Sequence, residues 1–492
     1  MLPPDGLLRG MAGEAARRHG DRVAFVAGDR SLTFADLDRL SDEVAAGLAA
    51  RGVGRGDVVA LMLPTALAYP LAYLGIAKLG AITLGINTRL APPEQQHLLD
   101  LVEPALVVAG ADGLPGPVER VDGDGVLEEV RVAGGRPPAE VALTPDDPVA
   151  LIATSGTTGK PKAAVFAGRQ LDAIRRTDVG EAWSAGGVTL SGTSLAHLGF
   201  MTKLPGHLQK GSTAHLMRRW TSTDALAMVA QHALTTVSGV PTQVSLMLAD
   251  PALPETDLRS VRMVLIGGGP ATPALVRAAR DGFGAPVCSR YSCTEAGIGL
   301  GTHPDDPEED AETTVGRPQR GVELAVRDNA GRDVPDGEVG EILLRSAAVT
   351  SGYWRNPEAT AALLTPDGFV RTGDHGWCDE QGRLHLVGRG VERYVRGGYN
   401  VFPVAVESVL ASAPGVHAIA IVPRSDDVWG EVGVAVVVPA DRSQPPTLDG
   451  LVRHGGSALA RHELPAELVV VDELPLTAGD KLDRRSLRSR FP

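Results

Sequence analysis

Apolar residues follow two rhythms along this chain. After Leu32-Thr33-Phe34, the residues Leu37, Leu40, Val44 and Leu48 fall at helical spacing, and Gly52 is a plausible stop, so a helix is expected between them. A continuous apolar run at 58–63 reads as a buried strand, followed by a helix near 68–79 and a strand near 81–85. This alternation predicts βαβ units and a parallel sheet under helical cover. Short apolar runs at 149–153 and 163–166 are strands that bracket a polar loop. Further strands are expected at 261–266 and 338–344, with a helix after Thr272-Pro273, a cap followed by proline at the first helical position. Residues 110–136, rich in Gly, Asp and Pro, read as surface loop. Past 388–393 the rhythm restarts with a helix at 403–410, strands at 419–422 and 434–438, a helix at 448–459 and a strand at 468–471.

A chain of 492 residues exceeds what one core serves, so two or more domains are expected. The net charge of −13 argues against a general nucleic-acid binder and against a polybasic membrane anchor. Cys288, Cys293 and Cys378 form no CxxC pair, so a disulfide scaffold is not expected and a reducing cytoplasm fits. Residues 1–13 lack a signal-peptide pattern. The most membrane-like stretch, 66–86, is interrupted by Pro70 and Lys78, and no membrane span is expected.

The polar loop is Thr154-Ser155-Gly156-Thr157-Thr158-Gly159-Lys160-Pro161-Lys162. Its glycines let backbone N–H groups converge on a polyphosphate, although the same composition also makes a plain solvated turn. It is not a Walker loop, which would read GxxxxGK[ST]. Gly267-Gly268-Gly269-Pro270 follows a strand, where ligands lie in open α/β sheets; a tight turn is the alternative. Tyr291-Ser292-Cys293-Thr294-Glu295 offers a ring for a base, hydroxyls for a phosphate and a carboxylate for Mg²⁺, which prefers oxygen ligands. Asp374, after Arg371-Thr372-Gly373, caps its turn or accepts from a ribose. His197 in Ala196-His197-Leu198-Gly199 is by itself more often structural, and the polar segment 475–485 would ordinarily be a solvated terminus.

Taken in this order, the stretches resemble the adenylate-forming superfamily of acyl-CoA synthetases, nonribosomal-peptide adenylation domains and beetle luciferases. Gly352-Tyr353-Trp354, Asn356-Pro357-Glu358 with Thr360, Gly388-Arg389, Gly397-Gly398 with Asn400, and Lys481 complete the set, which spans nearly the whole chain. The resemblance implies an α/β protein with a large N-terminal domain of layered sheets and helices in several subdomains, residues 1–390. A small mobile α+β C-terminal domain, 391–492, would follow, hinged near Glu392. It implies a ligase that joins a small carboxylic acid to the α-phosphate of ATP, expels pyrophosphate, and passes the acyl adenylate to coenzyme A or to the phosphopantetheine arm of a carrier protein.

By the same resemblance Thr154 to Lys160 enfold the phosphates, Glu295 with Thr154 holds Mg²⁺, and Thr294 meets the α-phosphate. Tyr291 stacks on adenine beside Gly268 and Gly269, Asp374 bonds the ribose with Arg389 close by, and Lys481 bridges carboxylate and α-phosphate. His197, Val240, Gly267 and Ser292 wall the acyl pocket, and Gly397 and Gly398 belong to the thiol face. A handover of the adenylate to a carrier protein or separate transferase is the second reading, and a nucleotide-binding pseudoenzyme the third.

The sequence departs from the family's usual pattern at the hinge, where Val391 replaces a lysine and Glu392 an aspartate. Arg396 stands where a small residue is common, and Ala405 replaces an acid although Glu407 remains. Asp480, Ser292 and Ala163 replace glycines. Residues 196–199 hold no acid to pair with an α-amine, so a free α-amino acid is disfavoured against an aliphatic, alicyclic or aromatic acid.

Overall fold

The computed structural model describes residues 7–110, 118–121, 125–138, 142–154, 161–184, 186–390, 392–477 and 481–490. The expected helix is Phe34–Ala50. Thr33 and Asp36 form a reciprocal capping box at its start, and it closes at Arg51, just before Gly52. It packs against the wholly buried helix Ala68–Lys78. Lys78, 1% exposed, sits between Asp38 and Asp42 at 2.7 and 2.6 Å, a buried cation with both partners on the neighbouring helix.

Strands Val58–Met62 and Ile82–Gly85 flank that helix and pair in parallel. They lie inside a six-stranded sheet whose order is Val118–Arg120, Leu106–Ala109, Val58–Met62, Ile82–Gly85, Pro148–Thr154 and Lys162–Ala167. Only the last pairing is antiparallel, so the polar loop of 154–162 joins two neighbouring strands at the sheet's edge. A second sheet holds Thr236–Gly239, Met263–Gly267 and Val287–Tyr291 in parallel, followed by two short antiparallel strands. A small sheet of Arg30–Thr33, Val23–Ala27, Thr213–Leu216 and Val188–Ser191, and an antiparallel one of Glu323–Arg327, Gly340–Arg345, Val370–Cys378 and Leu384–Arg389, complete the first 390 residues.

From Tyr394 onward the chain builds a further sheet around the long hairpin Val416–Asp426 and Gly430–Pro439, with helices Pro403–Leu410 and Leu448–Gly455. Tyr394, Val406, Leu410, Ile421, Val437 and Leu451 form an apolar cluster separate from the large one centred on Phe25, Leu37, Tyr69 and Tyr73.

Three expectations need correction. The described part of 110–136 is not simply surface loop. Leu127 and Val130 are buried, because their apolar side chains cover helix Phe34–Ala50, to which Val132 also donates a backbone hydrogen bond at Glu43. The helix expected over 448–459 ends at Gly455, where two successive glycines have the poorest helix propensity after proline. The segment 475–485 is not a free tail: Leu476 bridges Leu482, and the following helix Arg484–Arg490 buries Leu487. Among the described residues no helix is long and apolar enough to cross a membrane.

Candidate active site

Three parallel strands of the second sheet end side by side, at Gly239, Gly267 and Tyr291. Past these ends lie Val240, which opens helix Pro241–Leu248, then Gly268 and Gly269, and the turn Thr294–Ala296. Gly268 has φ of 78°, a left-handed conformation that disfavours any side chain. A Cβ there would lie 3.4 Å from Val240 Cγ1 and 3.8 Å from Lys481 Cε, so the C-terminal lysine reaches this strand edge. The bare glycine leaves the gap open.

Tyr291, buried at its strand end, donates its hydroxyl to Asp374 Oδ2 at 2.8 Å. Asp374 stands directly across from Arg389 in the antiparallel sheet, and Arg389 Nε donates to Asp374 Oδ1 at 3.2 Å. Burial, reinforced by the Asp374 charge, holds the Tyr291 phenol protonated far above its ordinary range. Thr294 begins a single 3₁₀ turn capped by Cys293, and Glu295 follows it. Ser292 is exposed, and its hydroxyl donates to the Cys293 carbonyl at 3.1 Å.

Glu295 has a partner in Tyr353, whose role the sequence pattern alone does not show. Gly352-Tyr353-Trp354 runs along the outer edge of strand Lys162–Ala167. There Val165 N–H donates to the Gly352 carbonyl at 2.9 Å and Trp354 N–H to the Ala163 carbonyl at 2.8 Å. This pairing aims Tyr353 inward. Its hydroxyl donates to Glu295 Oε1 at 2.7 Å, and Lys162 Nζ lies 4.9 Å from its ring centre. Burial first, then the Glu295 charge and hydrogen bond, raise the Tyr353 pKa, while a bond with the Thr154 side chain works the other way. Thr154 ends its strand buried, across from Lys162. Tyr353 therefore ties Thr154 and Glu295, two residues far apart in sequence, into one oxygen-rich corner. Ser155, Gly156, Thr157, Thr158, Gly159 and Lys160 lie outside the described residues, as do Val391 and Asp480.

Lys481 is exposed as a residue, yet its ammonium is crowded by protein. That crowding, with the nearby Arg389 charge, lowers its pKa, and Asp374 opposes the shift. His197 caps the short helix Leu198–Met201. Burial lowers its pKa below the ordinary histidine value, and the Lys481 charge adds to the effect. Lys481 thus lies within electrostatic reach of Arg389, Asp374 and His197, beside Gly268.

Gly397 and Gly398 form the turn between strands Tyr394–Arg396 and Tyr399–Val401. Gly397 packs on Trp429 and donates to the Trp429 carbonyl at 2.8 Å. Arg396 folds the same way, donating to the carbonyls of Leu464 at 2.5 Å and His462 at 3.3 Å. Glu392 forms an ion pair with Arg484, Nε to Oε2 at 3.1 Å, and Arg484 also grips Glu407 at 2.5 and 2.6 Å. Burial is the largest influence on Glu392 and raises its pKa, against the pull of Arg484 and Arg389.

A family model described as AMP-binding enzyme matches residues 13–354, and one described as AMP-binding enzyme C-terminal domain matches residues 405–481. The chain belongs to the AMP-binding enzyme family. This member is 34% identical to a feruloyl-CoA synthase of an Amycolatopsis species over 97% of each chain. It is 32% identical to the fatty acid–[acyl-carrier-protein] ligase ScoC of Streptomyces coeruleorubidus, over 94% of this chain and 92% of that one. Its fold superposes on the amide bond synthetase McbA of Marinactinospora thermotolerans with a TM-score of 0.87 at 29% identity, covering 99% and 100% of the two chains. It is an adenylate-forming, AMP-producing ligase of the α/β architecture expected above.

Proposed function

We propose that this enzyme activates a small carboxylic acid with ATP and transfers the acyl group to the thiol of coenzyme A, and that the cleft around Lys481 is where the adenylate forms. The placement of Lys481 against Gly268, within the fields of Asp374, Arg389 and His197, carries this reading. A carboxylate oxygen attacks the α-phosphorus, the bond to the bridging oxygen breaks, and pyrophosphate leaves. Both reactants are anionic, so catalysis needs fixed positive charge and in-line geometry more than covalent chemistry. Lys481 supplies that charge between carboxylate and α-phosphate. Thr154 to Lys160 enfold the outer phosphates, and Thr294 meets the α-phosphate. Asp374, whose oxygens already accept from Tyr291 and Arg389, accepts from the ribose hydroxyls through its remaining lone pairs, and Tyr291 faces adenine beside Gly268 and Gly269.

The corner of Thr154, Glu295 and Tyr353 presents oxygen donors only, which suits Mg²⁺ held by few protein ligands and mainly by phosphate. Glu295 and Thr154 would hold that ion, which neutralises phosphate charge when bound. In the second half-reaction the thiol sulfur attacks the acyl carbon, AMP departs and the thiol proton is lost. Rotation of residues 391–492 about Glu392 brings Gly397 and Gly398 toward the cleft for this step. His197, Val240, Gly267 and Ser292 line an acyl pocket without an acid for an α-amine.

A carrier-protein thiol is the second reading of the acceptor. It rests on the altered hinge at Glu392 and on Arg396, which is turned into the C-terminal unit. One experiment separates the two. The protein is incubated with ATP, Mg²⁺ and a panel of aliphatic and aromatic acids, with and without coenzyme A, and AMP, acyl adenylate and acyl-CoA are followed by mass spectrometry. Acyl-CoA supports the first reading. Acyl adenylate that coenzyme A does not discharge supports the second, and absence of AMP with every acid sinks both.

A further inference from the structure

Asn87 follows strand Ile82–Gly85 and is 3% exposed. Its Nδ2 lies 3.0 Å from His197 Nε2, across a separation of 110 residues. The approach is possible because Gly85 has no side chain. A Cβ there would stand 2.8 Å from the Ala196 carbonyl and 2.6 Å from Met201 Sδ, so any other residue would push the His197 segment away.

The amide's orientation is fixed by its other end. Arg89 N–H, a donor that cannot be anything else, points at Asn87 Oδ1 at 3.0 Å. Flipping the amide would set N–H against N–H there, so the oxygen faces Arg89 and the NH₂ group faces His197. His197 Nε2 must therefore accept. It carries a lone pair, the ring proton sits on Nδ1, and the imidazole is neutral. Among the described residues nothing accepts that Nδ1 proton.

We infer that Asn87 is a positioning residue that holds His197 as the neutral Nδ1–H tautomer, so that the cleft receives a hydrogen-bond donor from His197 and not a base or a second cation. The donor suits an acceptor on the bound acid, its carbonyl or the adenylate oxygen beside it. A neutral ring also leaves Lys481 as the cation at that point of the cleft, which a protonated imidazole would compete with. This inference rests on the assignment of His197 to the acyl pocket for its use, but not for its structure.

The test is a long-range ¹H–¹⁵N spectrum of the full-length protein labelled at histidine, at neutral pH, with the His197 signals identified by their loss in His197→Gln. The expected pattern is a protonated Nδ1 and an unprotonated Nε2. A protonated Nε2, or a doubly protonated ring, overturns the inference. The wild-type spectrum decides this even if no Asn87 variant folds. Asn87→Asp replaces the donor by an acceptor and should switch the proton to Nε2, raise the imidazole pKa and slow acid-dependent pyrophosphate exchange by roughly 10-fold or more. Asn87→Ala should lose the tautomer preference with a smaller rate effect. A slowed Asn87→Asp enzyme that still shows the Nδ1–H tautomer would mean that Asn87 acts only as scaffold, and the inference would fail. The spectrum reads the tautomer whether or not His197 meets the acyl group. An unaltered acid preference in His197→Gln would instead count against the pocket assignment alone.

Discussion

The corner around Glu295 and the turn around Gly397 differ in how they are held. At Glu295, Tyr353 donates a hydrogen bond, Lys162 stands over the Tyr353 ring, and Thr154 lies across from Lys162 on the neighbouring strand. At Asp374, a buried phenol and a guanidinium occupy both carboxylate oxygens. The turn at Gly397 is tied to its own unit instead, through Trp429, His462 and Leu464. A site that must develop charge on a fixed phosphorus gains from donors that do not reorganise. On the proposed reading, a face that travels gains from bonds that move with it. Gly397 and Gly398 match the family's pattern too, but most departures from it, Glu392, Arg396 and Ala405 among them, lie near the second set.

The largest effect should come from Lys481→Ala. Adenylation, read by pyrophosphate exchange, is expected to fall on the order of 10²-fold or more, with thermal unfolding little changed. A near wild-type exchange rate would remove the contrast at its root. Asp374→Ala should come next, because it strands the buried Tyr291 hydroxyl and frees Arg389; a stability loss of about 1–3 kcal/mol with a raised KM for ATP is expected from denaturation and kinetics. Tyr353→Phe deletes one donor to Glu295 and should cost about 1 kcal/mol, seen as a several-fold higher Mg²⁺ requirement. Equal Mg²⁺ dependence in the variant and the parent would argue that the corner does not hold the ion. Glu392→Ala should leave pyrophosphate exchange within about 3-fold and change only the thioester step, measured by discharge of preformed adenylate with coenzyme A. If exchange fell as far as discharge, the two regions would not be separable in this way.

The smallest effect concerns pH. The His197 pKa lies below its ordinary value near 6.5 because burial and the Lys481 charge disfavour the imidazolium. Its folded-state value is depressed relative to the unfolded chain, so its contribution to stability is complete above the ordinary histidine range and is lost as pH falls below it. Adenylation should accordingly stay level as pH drops through about 6.5, and a loss centred there would contradict a neutral ring.

Much of this arrangement was legible in the residues. The run at 58–63, the helix after Leu32-Thr33-Phe34 and the restart past Arg393 reflect local periodicity, which a sequence carries openly. Tyr353 and Asn87 were not legible as members of the site. Each reaches its partner across 58 and 110 residues, through strand pairing and a glycine gap that periodicity does not encode. The burial of Leu127 and Val130 was hidden for a related reason: Gly- and Asp-rich neighbours masked apolar side chains that only a distant helix could cover. The terminal segment misleads by composition too, since Arg484 looks solvated until Glu392 and Glu407 are placed around it.

That arginine has a mechanical consequence. Arg484 stands three positions after Lys481, a tether of at most roughly 11 Å of extended chain. Its head is clamped between Glu392 and Glu407 of helix Pro403–Leu410. Under the rotation proposed above, the lysine would leave the cleft together with the C-terminal unit, so that vacating the first reaction and preparing the second would be a single stroke.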